Sequence, residues 1–207
     1  MKGYFTLANA VSGEYEEKKS RFIAKLIPVS TEEEAAQKIA EIKKLNFSAR
    51  HNVFAYRLAN GVERQSDDGE PSGTGGRPLM ELIVSADVHD VLVVVTRYFG
   101  GVLLGTGGLK RAYSAAAADA FRKAEIIKQS EAVREEIEIP YAFYDRAEIL
   151  FSKHKALVED KVFGESVNLT LVIPKENEED LILALTEILS GDLKISKKEE
   201  ILYFFKN

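Results

Sequence analysis

The sequence predicts an α+β protein of two domains, and three observations support this. The 207 residues contain no internal repeat, and a chain of this length suits one large or two small domains. In the first half, an apolar run from Val91 to Val95 predicts a strand buried on both faces. In the second half, the predicted elements follow the order β-α-β-β-α-β, which is typical of a ferredoxin-like domain. We place the first domain at residues 1–127 and the second at residues 132–207.

Composition restricts where the protein works and what it binds. The chain has no cysteine, which excludes disulfides and thiolate chemistry, and no apolar run reaches the ~18 residues of a membrane span. The N-terminus does not resemble a signal peptide, so we expect a cytoplasmic protein that does not contact membranes. The net charge of −5 divides into +1 over residues 1–127 and −6 over residues 128–207. A nucleic-acid contact is therefore expected only from a local patch in the first half.

The beginning of the first domain is predicted as a hairpin followed by a helix. Residues 4–11 and 20–29 have strand character and are separated by a turn around Ser12 and Gly13. Ser30 and Glu33 match a capping box, which predicts a helix that ends near residue 45.

Two further turns organise the middle of this domain. Asn60 and Gly61 form the pair that favours a type I′ turn between strands 52–58 and 62–65. Pro78 suits the first position of a helix that returns the chain to the strand at Val91.

Glycines after the strand at Val91 indicate a candidate anion site. Glycine lacks a Cβ, so the backbone can turn at positive φ or approach a ligand closely; these glycines are Gly100, Gly101, Gly105, Gly107 and Gly108. A helix is predicted to begin after Gly108, with Lys110 and Arg111 close to its unpaired N–H groups. Neither the Walker nor the dinucleotide-binding pattern is present. The alternative is that the glycines only permit close packing and the two cations lie on a solvated face.

The segment from Ser66 to Pro78 is predicted to be a loop that carries three carboxylates, Asp67, Asp68 and Glu70. They could hold Mg²⁺, pair with arginines or be solvated turn residues, and the metal alternative is the weakest because no phosphate motif is present. Arg97 is charged at the end of an apolar strand, so we expect it to pair with one of them.

No catalytic residue is assigned. His51 could act as a base to Ser72, oriented by Asp67 or Asp68, but the sequence has neither a nucleophile elbow nor a recognisable oxyanion hole. His89 and His154 have no spaced ligand partners, so no metal or other cofactor is predicted.

The elements of the second domain follow from alternation and capping residues. Val133, Glu135, Ile137, Ile139 and Tyr141 are predicted to share one face of a strand. Asp145 and Asn177 are expected to cap two helices, the second of which ends at Gly191. The remaining predicted strands lie around residue 162 and at 166–173 and 199–205.

Several motifs closely resemble the bacterial IMPACT or YigZ-like family: Ser20–Ala24, Ala49–Asn52 with Ala55 and Tyr56, Asp67–Thr74, Thr96–Gly101, Leu104–Gly105, Gly107–Leu109 and Arg111–Tyr113. Val53, Gly75 and Leu103 depart from residues common in that family. The resemblance implies a first domain with a two-layer α/β fold like that of a small-subunit ribosomal protein and elongation factor G domain IV. It also implies a ferredoxin-like second domain and, from eukaryotic relatives, a role in translational regulation.

Two functional hypotheses follow from the residues and the resemblance together. The favoured one is a non-enzymatic, translation-associated protein whose first domain binds RNA, the ribosome or a protein partner through the glycine-rich surface. The alternative is an enzyme or binder of a small phosphorylated ligand, in which Asp67, Asp68 and Glu70 face Arg97, Lys110 and Arg111. A concave pocket joining the two loops would favour the alternative, and an open basic face would favour the binding protein.

Overall fold

The computed structural model describes residues 3–205, which contain two β-sheets and five α-helices. This arrangement confirms the predicted α+β fold class. The chain divides into two compact units, one formed by Tyr4–Lys128 and the other by Gly3 together with residues from Gln129 onwards. None of the helices in the described residues is long and apolar enough to cross a bilayer.

The strands and helices of the N-terminal unit follow one another along the chain as β1 (Tyr4–Leu7), β2 (Val11–Glu17), β3 (Ser20–Pro28), α1 (Glu32–Leu45), β4 (His51–Arg57), β5 (Glu63–Ser66), α2 (Gly76–Ser85), β6 (Val91–Tyr98) and α3 (Gly105–Lys123). Strands β2 to β6 form an antiparallel sheet of order β2-β3-β6-β4-β5. The strand that begins at Val91 is therefore central, as predicted.

Strand β6 is buried on both faces because helices cover both sides of the sheet. Val93 and Val95 pack into a cluster with apolar residues of α2 and α3, such as Leu79 and Ala116. Leu92 and Val94 alternate with them and pack into a second cluster that includes Ala35 and Ile42 of α1. Burial on both faces explains why the strand is continuously apolar instead of alternating.

The first hairpin differs from its prediction. Ser12 and Gly13 lie inside β2, and the turn instead uses Lys18 and Lys19, which have φ of 46° and 63°. Gly13 is needed for packing, because a Cβ there would come within 2.3 Å of the Ala120 backbone nitrogen in α3. Glycine in a strand thus marks a close backbone approach here, which the sequence could not distinguish from a turn.

Two local predictions are wrong by small shifts. The cap of α1 is Thr31, whose Oγ1 accepts from the Glu34 N–H at 3.1 Å, and Ser30 lies one residue before the cap. At the second turn, Gly61 has φ of 91° but Asn60 keeps negative φ, so the pair does not form a type I′ turn.

The second unit has the strand order of a ferredoxin-like domain. Its elements are β7 (Ile126–Ile139), α4 (Tyr141–Lys153), β8 (Leu157–Phe163), β9 (Val167–Pro174), α5 (Glu178–Ile188) and β10 (Lys194–Tyr203). The four strands are antiparallel neighbours in the order β10-β7-β9-β8. Helices α4 and α5 cover one face through a core that includes Ile137, Phe151 and Leu185. The predicted cap at Asp145 is wrong, because Pro140 precedes the first turn of α4 and Tyr141 belongs to that helix.

Candidate ligand cleft in the N-terminal unit

A buried ion pair lies at the end of β6. Arg97 Nη1 donates to Glu70 Oε1 at 2.5 Å, and the two side chains are 5% and 3% exposed. The Tyr113 hydroxyl of α3 donates to the same Glu70 oxygen at 2.8 Å. Burial, followed by the negative charge and hydrogen bond of Glu70, raises the pKa of Tyr113, so the phenol stays protonated. The predicted pairing of Arg97 is confirmed for Glu70 and does not involve Asp67 or Asp68.

Asp67 closes the loop that carries Glu70. Its carboxylate accepts backbone N–H groups of Gly73, Gly75 and Gly76 at 2.7 to 2.9 Å, which caps the start of α2. Burial opposes ionisation of this carboxyl, but the N–H donors outweigh it, and the pKa of Asp67 is lowered. Asp67 therefore stabilises the loop through the backbone.

Asp68 ties the same loop to two other elements. Its Oδ1 accepts from Lys43 Nζ of α1, and its Oδ2 accepts from the Asn52 N–H of β4, both at 2.6 Å. Asp68 itself takes a φ of 46°. Of the three predicted carboxylates only Glu70 reaches the cleft described below, and within residues 3–205 no cluster of His, Asp or Glu is placed to hold a metal ion.

His51 has a defined tautomer. Its Nδ1 lies 2.8 Å from the Asp68 carbonyl oxygen, which can only accept, so Nδ1 carries the proton. The other nitrogen, Nε2, lies 3.8 Å from Glu70 Oε1. The considered triad with Ser72 is therefore wrong, because the carbonyl of Asp68 and not a carboxylate orients the ring.

The predicted glycines have separate structural roles. A Cβ on Gly100 would lie 2.1 Å from the Lys19 backbone carbon, so this glycine allows the loop after β6 to pack on the β2–β3 turn. Gly101 and Gly105 have φ of 87° and 71°, which residues with a side chain rarely adopt.

Helix α3 begins at Gly105, earlier than predicted. Gly107 and Gly108 belong to its first turn, and Lys110 and Arg111 lie in the next one. Side chains on a helix tilt toward its N-terminus, and Arg111 follows this rule. Its Nη1 lies 3.7 Å from where a Cβ on Gly107 would be. The guanidinium of Arg111 therefore lies beside the first turn of α3, although Arg111 itself belongs to the second turn.

A cleft of about 320 Å³ joins the acidic loop to the glycine-rich loop, which is the feature named above as favouring a small-ligand site. One wall contains Gly69, Glu70 and Pro71, and the other is formed by Leu103, Leu104, Gly105, Thr106 and Leu109, while Arg50, His51, Arg97 and Phe99 complete the lining. The guanidinium groups of Arg50 and Arg97 lie 5.0 and 5.6 Å from the centre of the Phe99 ring. Of the predicted site residues, the cleft contains Glu70, Arg97 and Gly105. The others lie outside its lining: Asp67, Asp68, Gly100, Gly101, Gly107, Gly108, Lys110 and Arg111.

Several lining residues were not predicted as part of this site from the sequence. The pairing register of two strands could have placed two of them, Arg50 and His51, beside Arg97. Antiparallel pairing of β4 with β6 sets His51 opposite Arg97, and the Arg50 N–H donates to the Arg97 carbonyl at 3.0 Å. The register of two predicted strands would therefore have brought Arg50 and His51 to Arg97. Phe99 and Thr106 lie in or next to an irregular loop, where no periodicity fixes their positions.

Comparisons with known proteins agree with this architecture. Residues 18–121 match the family described as "Impact N-terminal domain", and residues 137–192 match "Domain of unknown function (DUF1949)". A solved structure titled "Crystal structure of an hypothetical protein" is 27% identical with a TM-score of 0.64, covering 94% of this chain and 97% of its own. The fold and the matched regions thus define a two-unit α+β protein with an Impact-type N-terminal domain.

Two curated relatives extend the match. The chain is 32% identical over 208 residues to "IMPACT family member YvyE" of Bacillus subtilis (strain 168), and the match covers 100% of this chain and 95% of that protein. It is 39% identical over 102 residues to "Protein IMPACT" of Oryctolagus cuniculus, covering 45% of this chain and 31% of that protein. The chain belongs to the IMPACT family.

Proposed function

We propose that this IMPACT family member is a cytoplasmic, non-enzymatic protein that binds RNA on the ribosome through the exposed side of the first two turns of α3. The translational part of the proposal rests on family membership, since the resemblance of the first domain implies a regulator of translation. The RNA-binding part rests on the charges and backbone groups of α3 itself.

The observation that carries the proposal is a pair of exposed cations without internal partners. Within the described residues, Lys110 and Arg111 form no hydrogen bond or ion pair, whereas the cations at the other end of α3, Arg122 and Lys123, both pair with Asp119. The first turn of α3 contains no acidic residue. Two free cations beside unpaired helix N–H groups form a surface suited to backbone phosphates.

The chain just before α3 also exposes apolar side chains. Leu103 is 80% exposed and Val102 is 46% exposed in the loop before α3, and Phe99 is 38% exposed at the end of β6. Exposed apolar and aromatic side chains of this kind suit RNA, because unstacked bases can pack on them while phosphates meet the charges of α3.

The test is a charge reversal with a matched control. Lys110→Glu with Arg111→Glu should keep the fold, because both side chains are exposed and unpaired, and should weaken binding to ribosomes and to single-stranded RNA. The slope of log affinity against log salt should fall by ~0.7 for each phosphate that the variant no longer neutralises. The control, Arg146→Glu with Lys153→Glu, makes the same charge change at two exposed positions of α4.

Sedimentation with ribosomes and a salt series on RNA give the readouts. Equal loss of affinity in both double variants would mean that only net charge matters, and the α3 surface would then not be the contact. Unchanged affinity and slope in the folded Lys110/Arg111 variant would exclude this surface as an RNA site and favour a protein partner.

A further inference from the structure

The N-terminus of α3 opens into the cleft without a cap. Leu104 occupies the cap position, no side chain of the described residues caps the helix start, and no acidic residue lies in the first turn. Gly105 and Thr106, the first two residues of the helix, line the cleft. The N–H groups at a helix start carry a partial positive charge and attract anions.

A second, independent observation also indicates an anion. Arg97 lines the same cleft with a side chain that is 5% exposed, yet its Nε has no hydrogen-bond partner among the described residues. Its Nη1, in contrast, is engaged by Glu70. Native proteins rarely leave a buried N–H without an acceptor, so an orphaned donor of this kind points to a missing ligand oxygen or water.

The charges that face the cleft favour an anion. They are Arg50, Arg97 and Glu70, and the ring of His51 also lines the cleft. Glu70 already neutralises one arginine through the 2.5 Å pair, so Arg50 and the helix N-terminus remain without a counter-charge among the residues that line the cleft.

The size and walls of the cleft suit a small ligand with an apolar body. Its volume of about 320 Å³ lies at the lower end of the range for small-molecule sites. Pro71, Phe99, Leu103 and Leu109 supply apolar surface around the few polar groups. Such a combination of apolar walls and convergent donors is typical of ligand sites.

We infer that this cleft binds a phosphate monoester, with the phosphate at the start of α3 and Arg50 and the apolar walls around the body of the ligand. The same chemistry could come from a free nucleoside monophosphate or from the terminal phosphate of an RNA chain. This inference does not rest on Lys110 or Arg111, since neither lines the cleft, although Phe99, Leu103 and the start of α3 belong to both surfaces.

The first experiment uses a nucleoside 5′-monophosphate, with inorganic phosphate as a second probe, in isothermal titration calorimetry on the full chain. Thr106→Asp adds a carboxylate to the first turn of α3, where it should stabilise the helix but repel the phosphate. The isosteric, uncharged Thr106→Asn is its control. Thr106 and Arg50 are both exposed, so neither Thr106→Asp nor Arg50→Gln should disturb the core.

Removing one charge-assisted hydrogen bond to the phosphate should lower the affinity about tenfold or more. We expect a decrease of this size for Arg50→Gln, at least as large a decrease for Thr106→Asp, whose added carboxylate repels the phosphate, and near wild-type binding for Thr106→Asn. No detectable binding of either probe by the wild-type protein would overturn the inference. Equal affinity of Thr106→Asp and wild type would also overturn it.

A second experiment distinguishes the two sources of the phosphate. Short oligoribonucleotides with a 5′-phosphate or a 5′-hydroxyl are compared on wild type and on Thr106→Asp. A preference for the phosphorylated end that Thr106→Asp removes assigns the site to RNA ends. Binding of the mononucleotide without such a preference assigns it to a free small molecule. Calorimetry with a mononucleotide involves no RNA, so failure of this inference and failure of RNA binding at α3 are separate results.

Discussion

Replacing Arg97 by methionine should destabilise the N-terminal unit strongly. Methionine has a similar length but no charge, so the change removes one partner of the 2.5 Å pair and leaves Glu70 almost completely buried. The Tyr113 hydroxyl would still donate to that carboxylate, but it carries no charge to balance it. Breaking a buried pair in this way typically costs ~3–5 kcal/mol, because the remaining charge has lost its water and its partner.

This cost should be visible as a large shift in thermal unfolding. For a unit of this size each kcal/mol lowers Tm by ~3–5 °C, so Arg97→Met should melt ~10–20 °C below wild type. The measurement is thermal unfolding followed by circular dichroism or calorimetry, with urea unfolding as an independent estimate of the free energy of unfolding.

The double variant Arg97→Met with Glu70→Met tests the physical reason. Removing both charges avoids the uncompensated carboxylate, so most of the lost stability should return, with a remainder from the Tyr113 hydroxyl that loses its acceptor. A Tm of Arg97→Met within ~2 °C of wild type would refute the reasoning, given the shift expected for a buried pair. A double variant no more stable than Arg97→Met would show that packing and not charge is responsible.

Three further predictions concern the fold. Gly13→Ala should destabilise by ~1–3 kcal/mol, because its Cβ would lie 2.3 Å from the Ala120 nitrogen. Urea unfolding checks this against the control Gly164→Ala, where a Cβ would meet nothing closer than the Ser166 oxygen at 3.8 Å. Asp67 has a lowered pKa in the folded protein, so its contribution to the free energy of unfolding is fully present at pH values above its ordinary pKa of 3.8 and is lost as pH falls through the lower folded pKa. Measurements of stability against pH should therefore show a smaller loss in that acidic range for Asp67→Asn than for wild type. We also propose that residues 1–127 and 132–207 fold separately, since each unit has its own core, and each fragment should unfold cooperatively on heating; a fragment without a transition would contradict this boundary.

Much of the fold could be predicted because periodicity and hydropathy are local. The apolar run at β6 predicted a central strand, and the structure covers both of its faces. The wrong predictions concern residues whose type suits two different structural roles or positions. Gly13 allows a close approach between β2 and α3, and nothing in the sequence around it distinguishes this packing from a turn. Similarly, Ser30 and Thr31 both suit a helix cap, and only the geometry of the loop selects Thr31.

The candidate site was only partly predictable. A charge at the end of an apolar strand predicted that Arg97 has a buried partner, but three carboxylates lie within four residues of one another. The choice among them depends on the path of the loop: Asp67 turns back to cap α2 and Asp68 reaches β4, which leaves Glu70 facing inward. That path is a tertiary property. The full lining of the cleft could not be predicted, because it combines strand ends with an irregular loop.

The two proposed anion sites share the same helix start, and this has an energetic consequence. Thr106 lines the cleft and Arg111 lies five residues later, about 7.5 Å along the helix axis. The guanidinium of Arg111 reaches back to Gly107, so it lies even closer to the cleft. Charges separated by less than the ~8 Å screening length at physiological salt still interact. A dianion in the cleft would therefore weaken the attraction of Lys110 and Arg111 for RNA phosphates. Bound RNA would lower the affinity of the cleft for the dianion by the same factor, because coupling between two binding equilibria is reciprocal. Binding of a small phosphorylated ligand at the start of α3 would then lower the affinity of the protein for RNA.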